Sequence, residues 1–443
     1  MPAHKQLHKS LDEFTTAPIG LPIEAPVEAP VEVGRRLLHA LLRGYSGPVA
    51  VRLWDGSYVR GGADAPATLT FRHPDPLRDL FLRGDLVRLG EAYLLGAVEV
   101  DGRMDIAFDI VDFLERSQPG RWERLRLAFN ALRLPRADSY AALKTSQADG
   151  TARANGTASI RHHYDVSNDF YRLWLDPEMV YSCAYFRDTT QSLAEAQRDK
   201  LDYLCRKLRL EPGQHLLDIG CGWGALALWA ARNYGVEVHG ITLSEAQCDH
   251  ARERIARAGF AERVRIELRD YRDLPPDAHY DRIVSVGMFE HIGVKNFPNY
   301  FGAVQRLLAP GGLFLNHGIT NDCGWVDCAS QRFINRYVFP DGELTRVSTV
   351  QTAMEQAGFE ILDVEGLRPH YALTLRRWLQ ALEASRERAD ALVGPIVRRI
   401  WRLYMAGSAH YFQQGSLGVY QILAGHSHAP QPLPLRRDDL YRA

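Results

Sequence analysis

From about residue 158 onward, short apolar runs alternate with stretches whose apolar residues recur at helical spacing. Five runs read as strands: His215–Ile219, Glu237–Ile241, Val264–Leu268, Arg282–Val286 and Gly312–His317. Between them, Ala225–Tyr234, Ser244–Ala258 and Tyr300–Leu308 read as helices. This alternation predicts an α/β domain: a doubly wound parallel sheet with its ligand crevice at the strand C-termini. The segment Arg376–Ile422 reads as largely helical, broken at Gly394-Pro395 because proline cannot donate the helical hydrogen bond.

The pattern differs upstream. Residues 35–136 read as a smaller α+β domain, with alternating stretches at Val49–Trp54 and Ala67–Phe71 and a helical run at Pro76–Leu82. Within it Trp122, Leu125, Phe129 and Leu132 fall at helical spacing among Arg121, Arg124, Arg126 and Arg133. A basic amphipathic helix of this kind either packs its stripe on a neighbouring domain or rests it on anionic lipid. Pro18, Pro22, Pro26 and Pro30 mark residues 1–34 as an extended tail, and the small polar residues of 137–157 read as a linker to a domain spanning 158–443.

Composition narrows the function. The 443 residues are 46% hydrophobic and 24% charged, a globular profile, and 53 Lys plus Arg against 54 Asp plus Glu argue against a nucleic-acid partner. The six cysteines show no zinc spacing and no disulfide framework. The first ten residues lack the apolar core of a signal peptide, and no apolar run reaches the length of a membrane span. The expectation is a cytoplasmic protein, free to lie on a membrane surface.

Candidate chemistry begins at Asp218-Ile219-Gly220-Cys221-Gly222-Trp223-Gly224, where an apolar strand runs directly into a helix. Gly220, Gly222 and Gly224 leave the backbone bare for a ligand. Their G-x-G-x-G spacing differs from that of dinucleotide binders, and Asp218 suits a cationic ligand better than a phosphate. S-adenosyl-L-methionine is the expected cofactor, on a Rossmann-like methyltransferase fold. The second strand ends in Thr242-Leu243-Ser244 without the ribose-binding acid common in such folds, which leaves backbone groups and Gln247 for the ribose; Gln247 can equally cap the helix with Ser244. After the third strand, Asp270 can accept the adenine amino hydrogen and Tyr271 can cover the base.

Gly287-Met288-Phe289-Glu290-His291 follows the fourth strand at the crevice rim, and Tyr181–Phe186, Asn316–Ile319 and Arg368–Tyr371 bring further polar groups. Together, Tyr181–Phe186, Leu217–Gly224, Thr242–Ser244, Gln247, Val286–His291, Arg336–Pro340 and Pro369–Tyr371 resemble the cyclopropane-fatty-acyl-phospholipid synthase family and its mycolic-acid relatives. Leu89-Gly90-Glu91-Ala92-Tyr93 also looks like the full-length bacterial synthases, whose extra domain contacts phospholipid.

The resemblance implies methyl transfer from S-adenosylmethionine to a cis double bond of a phospholipid acyl chain. Deprotonation of the resulting carbocation by bound bicarbonate then gives a cyclopropane. Carried over, the bicarbonate cage is Cys183, Glu290, His317, the Ile319 backbone and Tyr371; Tyr181, Ser182 and Gly287 join the cofactor site. Glu290 beside an anion requires either a shared proton or a protonated His317. Tyr181, Tyr185, Phe186 and Phe289 are candidates to face developing positive charge. Several relatives carry a cysteine in the C-terminal helical segment where this chain reads Ser408-Ala409-His410-Tyr411-Phe412, so a covalent cysteine mechanism there is not open to it. The resemblance also suggests a homodimer and peripheral contact with the inner face of the membrane. Competing readings are a methyl-branched or methylene product, a small-molecule O- or N-methyltransferase, and a lipid-binding protein without activity.

Overall fold

The computed structural model describes residues 29–117, 120–135, 167–324, 328–339, 342–430 and 433–441. Residues 1–28 of the expected tail and the whole expected linker lie outside them. Pro30 is not tail: it stands in the first turn of the helix Pro30–Leu41, where its missing N–H costs nothing, and Val33, Leu37 and Leu38 of that helix are core.

The N-terminal domain carries strands β1 (Val49–Arg52), β2 (Tyr58–Arg60), β3 (Ala67–Phe71) and β4 (Val98–Gly102) in the order β2-β1-β3-β4. β1 and β3 are parallel and the other pairs antiparallel, giving the expected α+β unit. Helices Asp75–Arg83, Val87–Leu94 and Met104–Arg116 cover it. The helix Arg121–Ala131 buries Leu127 and Ala131 and turns Trp122 (86% exposed), Leu125, Phe129 and Leu132 outward among the described residues. Among the described residues no neighbouring domain buries that stripe.

The second domain is built on β5 (His215–Ile219), β6 (Glu237–Thr242), β7 (Val264–Leu268), β8 (Tyr280–Val286), β9 (Leu308–Asn321), β10 (Phe359–Gly366) and β11 (Leu417–His426). Their order is β10-β11-β9-β8-β5-β6-β7. The inner strands are parallel and nearly continuous apolar runs, as a sheet covered on both faces requires. β10 and β11 add antiparallel strands beyond β9, so the sheet is mixed. Leu417–Ile422, expected at the end of a helical tail, is strand. Gly415 in the left-handed conformation ends the preceding helix and lets the chain turn into β11. Gly394 does interrupt the long helical segment Arg386–Gln414, as Gly394-Pro395 predicts.

The two domains share one core, in which Leu37, Phe71 and Ile110 are continuous with Trp174, Trp378, Trp401 and Phe412. Polar contacts fix their docking. Glu91, only 1% exposed, pairs with Arg336 at 2.8 Å and accepts a hydrogen bond from the Tyr337 hydroxyl at 2.9 Å. His410 meets Asp112 at 2.7 Å, and Arg376 meets Asp105 at 3.1 Å.

Candidate active site

Near the end of β5, the first strand of the crevice, stands Asp218, which is buried, has one carboxylate oxygen without a partner among the described residues, and is pushed up to about 7 by burial. Gly220 and Gly222 follow with φ of +80° and +55°, and open space lies where a Cβ of Gly222 would stand. Together with Tyr181, Ser182, Thr242, Leu243, Gln247, Tyr271 and Gly287 these residues line one cavity. Two expected members do not. Gly224 caps the helix Ala225–Tyr234, and a Cβ there would sit 3.0 Å from the Ala251 Cβ, so its bareness serves helix packing. Asp270 accepts the Arg272 backbone N–H at 2.9 Å and its guanidinium at 2.9 and 2.6 Å. Burial raises the Asp270 carboxyl, but Arg272 outweighs it and holds the group below its ordinary value.

Gln247 answers to both readings. Its backbone N–H reaches Ser244 Oγ at 3.4 Å, which is the cap, while its side-chain oxygen accepts from Thr242 Oγ1 at 2.9 Å on the cavity wall.

One lining residue escaped sequence reasoning. Lys200 is buried, donates to Ser182 Oγ at 2.9 Å and is pushed down to about 8 by burial. The signal was present: Gln197, Lys200 and Lys207 lie on the buried face of the helix Leu193–Lys207, at spacings where apolar residues belong.

A second cavity meets the first. Tyr181, Ser182, Gly287 and His291 line both, and Cys183, Glu290, His317, Gly318, Ile319 and Tyr371 line the second. The five expected cage residues, drawn from four separate segments, therefore converge. Glu290 Oε1 accepts the Ile319 N–H at 3.4 Å, whereas Oε2 is buried without a partner. Burial pushes Glu290 up to about 7. His317 Nε2 is likewise buried and unpartnered, and burial pushes this ring down to about 3, so it is neutral at physiological pH. Burial thus favours the neutral form of both groups in the empty cavity, an uncharged His317 ring and a protonated Glu290. Burial raises the Cys183 thiol far above its ordinary value, which keeps it protonated and unreactive.

Gly318 makes the room. A Cβ at that position would run into the Phe289 ring and stand 2.8 Å from Glu290 Oε2. Among the four aromatic candidates only Tyr181 lines the cavity; Tyr185 is stacked between Tyr203 and His370. Phe339, Tyr371, Tyr404 and Phe412 add further rings, and Ser408 lies on the same wall. Among the described residues no cluster suits a metal ion.

Comparison with known proteins matches residues 151–422 to the mycolic acid cyclopropane synthetase family. The chain belongs to that family. Residues 37–115 match a separate domain family of unknown function. The chain is 42% identical over 89% of its length to a probable fatty acid methyltransferase of Pseudomonas putida, covering 96% of that protein. It is 36% identical over 85% of its length to the cyclopropane-fatty-acyl-phospholipid synthase of Escherichia coli K12, covering 92% of it. A crystal structure of the mycolic acid cyclopropane synthase CmaA1 with SAH and CTAB superposes with a TM-score of 0.58 at 38% identity, covering 60% of this chain and 97% of that one. This member of the mycolic acid cyclopropane synthetase family is thus an S-adenosylmethionine-dependent methyltransferase, of a family acting on fatty acyl chains.

Proposed function

We propose that the protein transfers the methyl group of S-adenosylmethionine to the cis double bond of an unsaturated phospholipid acyl chain and closes a cyclopropane ring. The observation that carries this reading is the junction of the two cavities at Tyr181, Ser182, Gly287 and His291, beside the unpartnered Glu290 Oε2 and His317 Nε2. Asp218 and the open backbone at Gly222 fit a cationic amino-acid moiety, and Lys200 beside Ser182 suits its carboxylate. S-adenosylmethionine, when bound, supplies an electrophilic methyl group.

The residues around the alkene have two tasks. An alkene is a weak nucleophile, so Tyr181, Phe412 and Leu375 must hold it in line with the methyl group. They must also exclude water, which would trap the cation as an alcohol. Tyr181 and Tyr404 line the cavity with aromatic rings, a surrounding that favours positive charge without bonding to it. One alkene carbon would take the methyl carbon as its bond to sulfur breaks and S-adenosylhomocysteine leaves as a neutral thioether; the other alkene carbon would become cationic, and loss of a methyl proton to the acceptor would close the ring.

Burial keeps Cys183 protonated and makes His317 a weak base, and Glu290 is the only carboxylate among the described residues of the wall, so a small basic anion beside them would give the proton a further acceptor. The two unpartnered atoms fit a hydrogen-carbonate ion, with His317 Nε2–H donating to it and Glu290 Oε2 sharing a proton with it. Bicarbonate, when bound, supplies the proton acceptor. Removing dissolved carbon dioxide should lower turnover at least tenfold, and adding bicarbonate should restore it. Turnover indifferent to bicarbonate would remove the ion from the scheme.

The outward Trp122, Leu125, Phe129 and Leu132, set among Arg121, Arg124, Arg126 and Arg133, support docking on an anionic bilayer as the route to phospholipid. A second reading keeps the site and changes the product to a methyl-branched chain, favoured by the Pseudomonas putida relative's designation as a probable fatty acid methyltransferase. The fate of the transferred methyl hydrogens separates the two.

A further inference from the structure

A third cavity lies between the domains. Its walls are almost wholly apolar: Leu89, Val100, Ala107 and Val111 come from the N-terminal domain, and Phe333 and Leu403 from the catalytic domain. It abuts the reactive cavity across Ile334, Tyr404 and Ser408, which line both. Away from those residues, Leu86 and Ala329 also line a wider cleft, whose lining includes Arg124 and the buried Leu127 of the basic helix, together with Arg332. The order from surface to centre is therefore a basic rim, an apolar chamber and the reactive cavity.

We infer that the interdomain cavity holds the ester-proximal segment of the substrate's acyl chain, with the ester and phosphate at the rim beside Arg124 and the double bond in the reactive cavity. This rests on the acyl-chain reading above and extends it. Three observations carry it. The chamber offers hydrocarbon contacts and scarcely any polar ones, so it suits methylenes and repels a headgroup. It adjoins the reactive cavity at one end, where the alkene must lie. The cleft at the other end is the polar one, with Arg124, Arg332, Glu115 and Ser117, so the polar end of the lipid belongs there. Two glycines shape the chamber: a Cβ at Gly407 would stand 2.8 Å from the Phe108 ring, and one at Gly90 3.2 Å from the Phe333 ring.

In this arrangement the N-terminal domain is part of the substrate site. It sets how many methylenes separate the ester from the reacting bond, and the buried Glu91–Arg336 pair holds the two walls together.

The test uses the full-length protein with S-adenosylhomocysteine and phosphatidylglycerol vesicles whose acyl chains carry a diazirine either near the ester or near the methyl end. After photolysis, peptide mapping should place the ester-proximal probe on residues 86–111 and the methyl-end probe on the catalytic domain alone. Filling the chamber with Val111→Phe should cut the first labelling at least fivefold while leaving affinity for S-adenosylhomocysteine within twofold. Labelling of 86–111 by the methyl-end probe, or confinement of both probes to the reactive cavity, would overturn the inference while leaving the acyl reading intact. No labelling of either cavity would defeat both.

Discussion

Gln421 on β11 and His317 on β9 are direct cross-strand partners, and the Gln421 side-chain nitrogen lies 3.2 Å from His317 Nδ1. The amide nitrogen donates, Nδ1 accepts, and the proton of the neutral ring is thereby fixed on Nε2, the atom with no protein partner. Gln421→Leu should let the ring take the other tautomer. We expect kcat to fall about tenfold, within the range seen for partners that orient a working histidine, with cofactor affinity unchanged. Nitrogen NMR of histidine-labelled protein should show Nδ1 unprotonated in the wild type only.

Glu290→Gln should lower turnover on the order of a hundredfold or more and leave cofactor affinity within about threefold, because Glu290 lines the reactive cavity and not the cofactor cavity. Calorimetry with S-adenosylmethionine checks the second half. A large loss of affinity would show that the carboxylate belongs to the other cavity.

The same variant reports on stability. The Glu290 carboxyl is pushed up to about 7 by burial, above its unfolded value, so the folded state binds the extra proton between these pKa values. Its contribution is favourable at low pH and is lost as pH rises to about 7, a change of a few kcal/mol. Glu290→Gln removes the titration, so the melting temperature of the variant minus that of the wild type should increase from pH 5 to pH 8. A flat difference across that range would mean the carboxylate is better solvated than its burial implies.

Replacing Trp122, Leu125 and Phe129 together by Glu should cut turnover on anionic vesicles about tenfold or more and leave turnover on detergent-dispersed lipid within twofold. These side chains are exposed, so the melting temperature should hold. Substitution is a cleaner test than deleting the N-terminal domain, whose removal would bare Phe333 and Tyr404 of the shared core. Equal losses on both lipid forms would argue that the helix does not dock.

Much of this was legible in the chain. β5, β7 and the helix Ala225–Tyr234 fall where the apolar spacing puts them, because buried parallel strands and their covering helices write distinct periods. Cys183, Glu290, His317, Ile319 and Tyr371, expected together from the resemblance, line one cavity. β11 was hidden because Leu417–Ile422 follows a long helix with only Gly415 to mark the change. The pairing of Asp270 with Arg272 was not legible, because no sequence pattern records the direction of the Arg272 side chain. The partition between His317 and Glu290 needed burial, which decides the sign of both shifts.

The most direct test of the central claim gives the full-length protein S-adenosylmethionine with a trideuterated methyl group and phosphatidylglycerol vesicles bearing cis-monounsaturated chains. The acyl products are then read by mass spectrometry before and after catalytic hydrogenation. A cyclopropane formed by loss of a methyl proton retains two of the three deuterons and gains no hydrogen under conditions that saturate a double bond but spare the ring. Chains that keep all three deuterons, or vesicles left unmodified, would contradict ring closure on phospholipid.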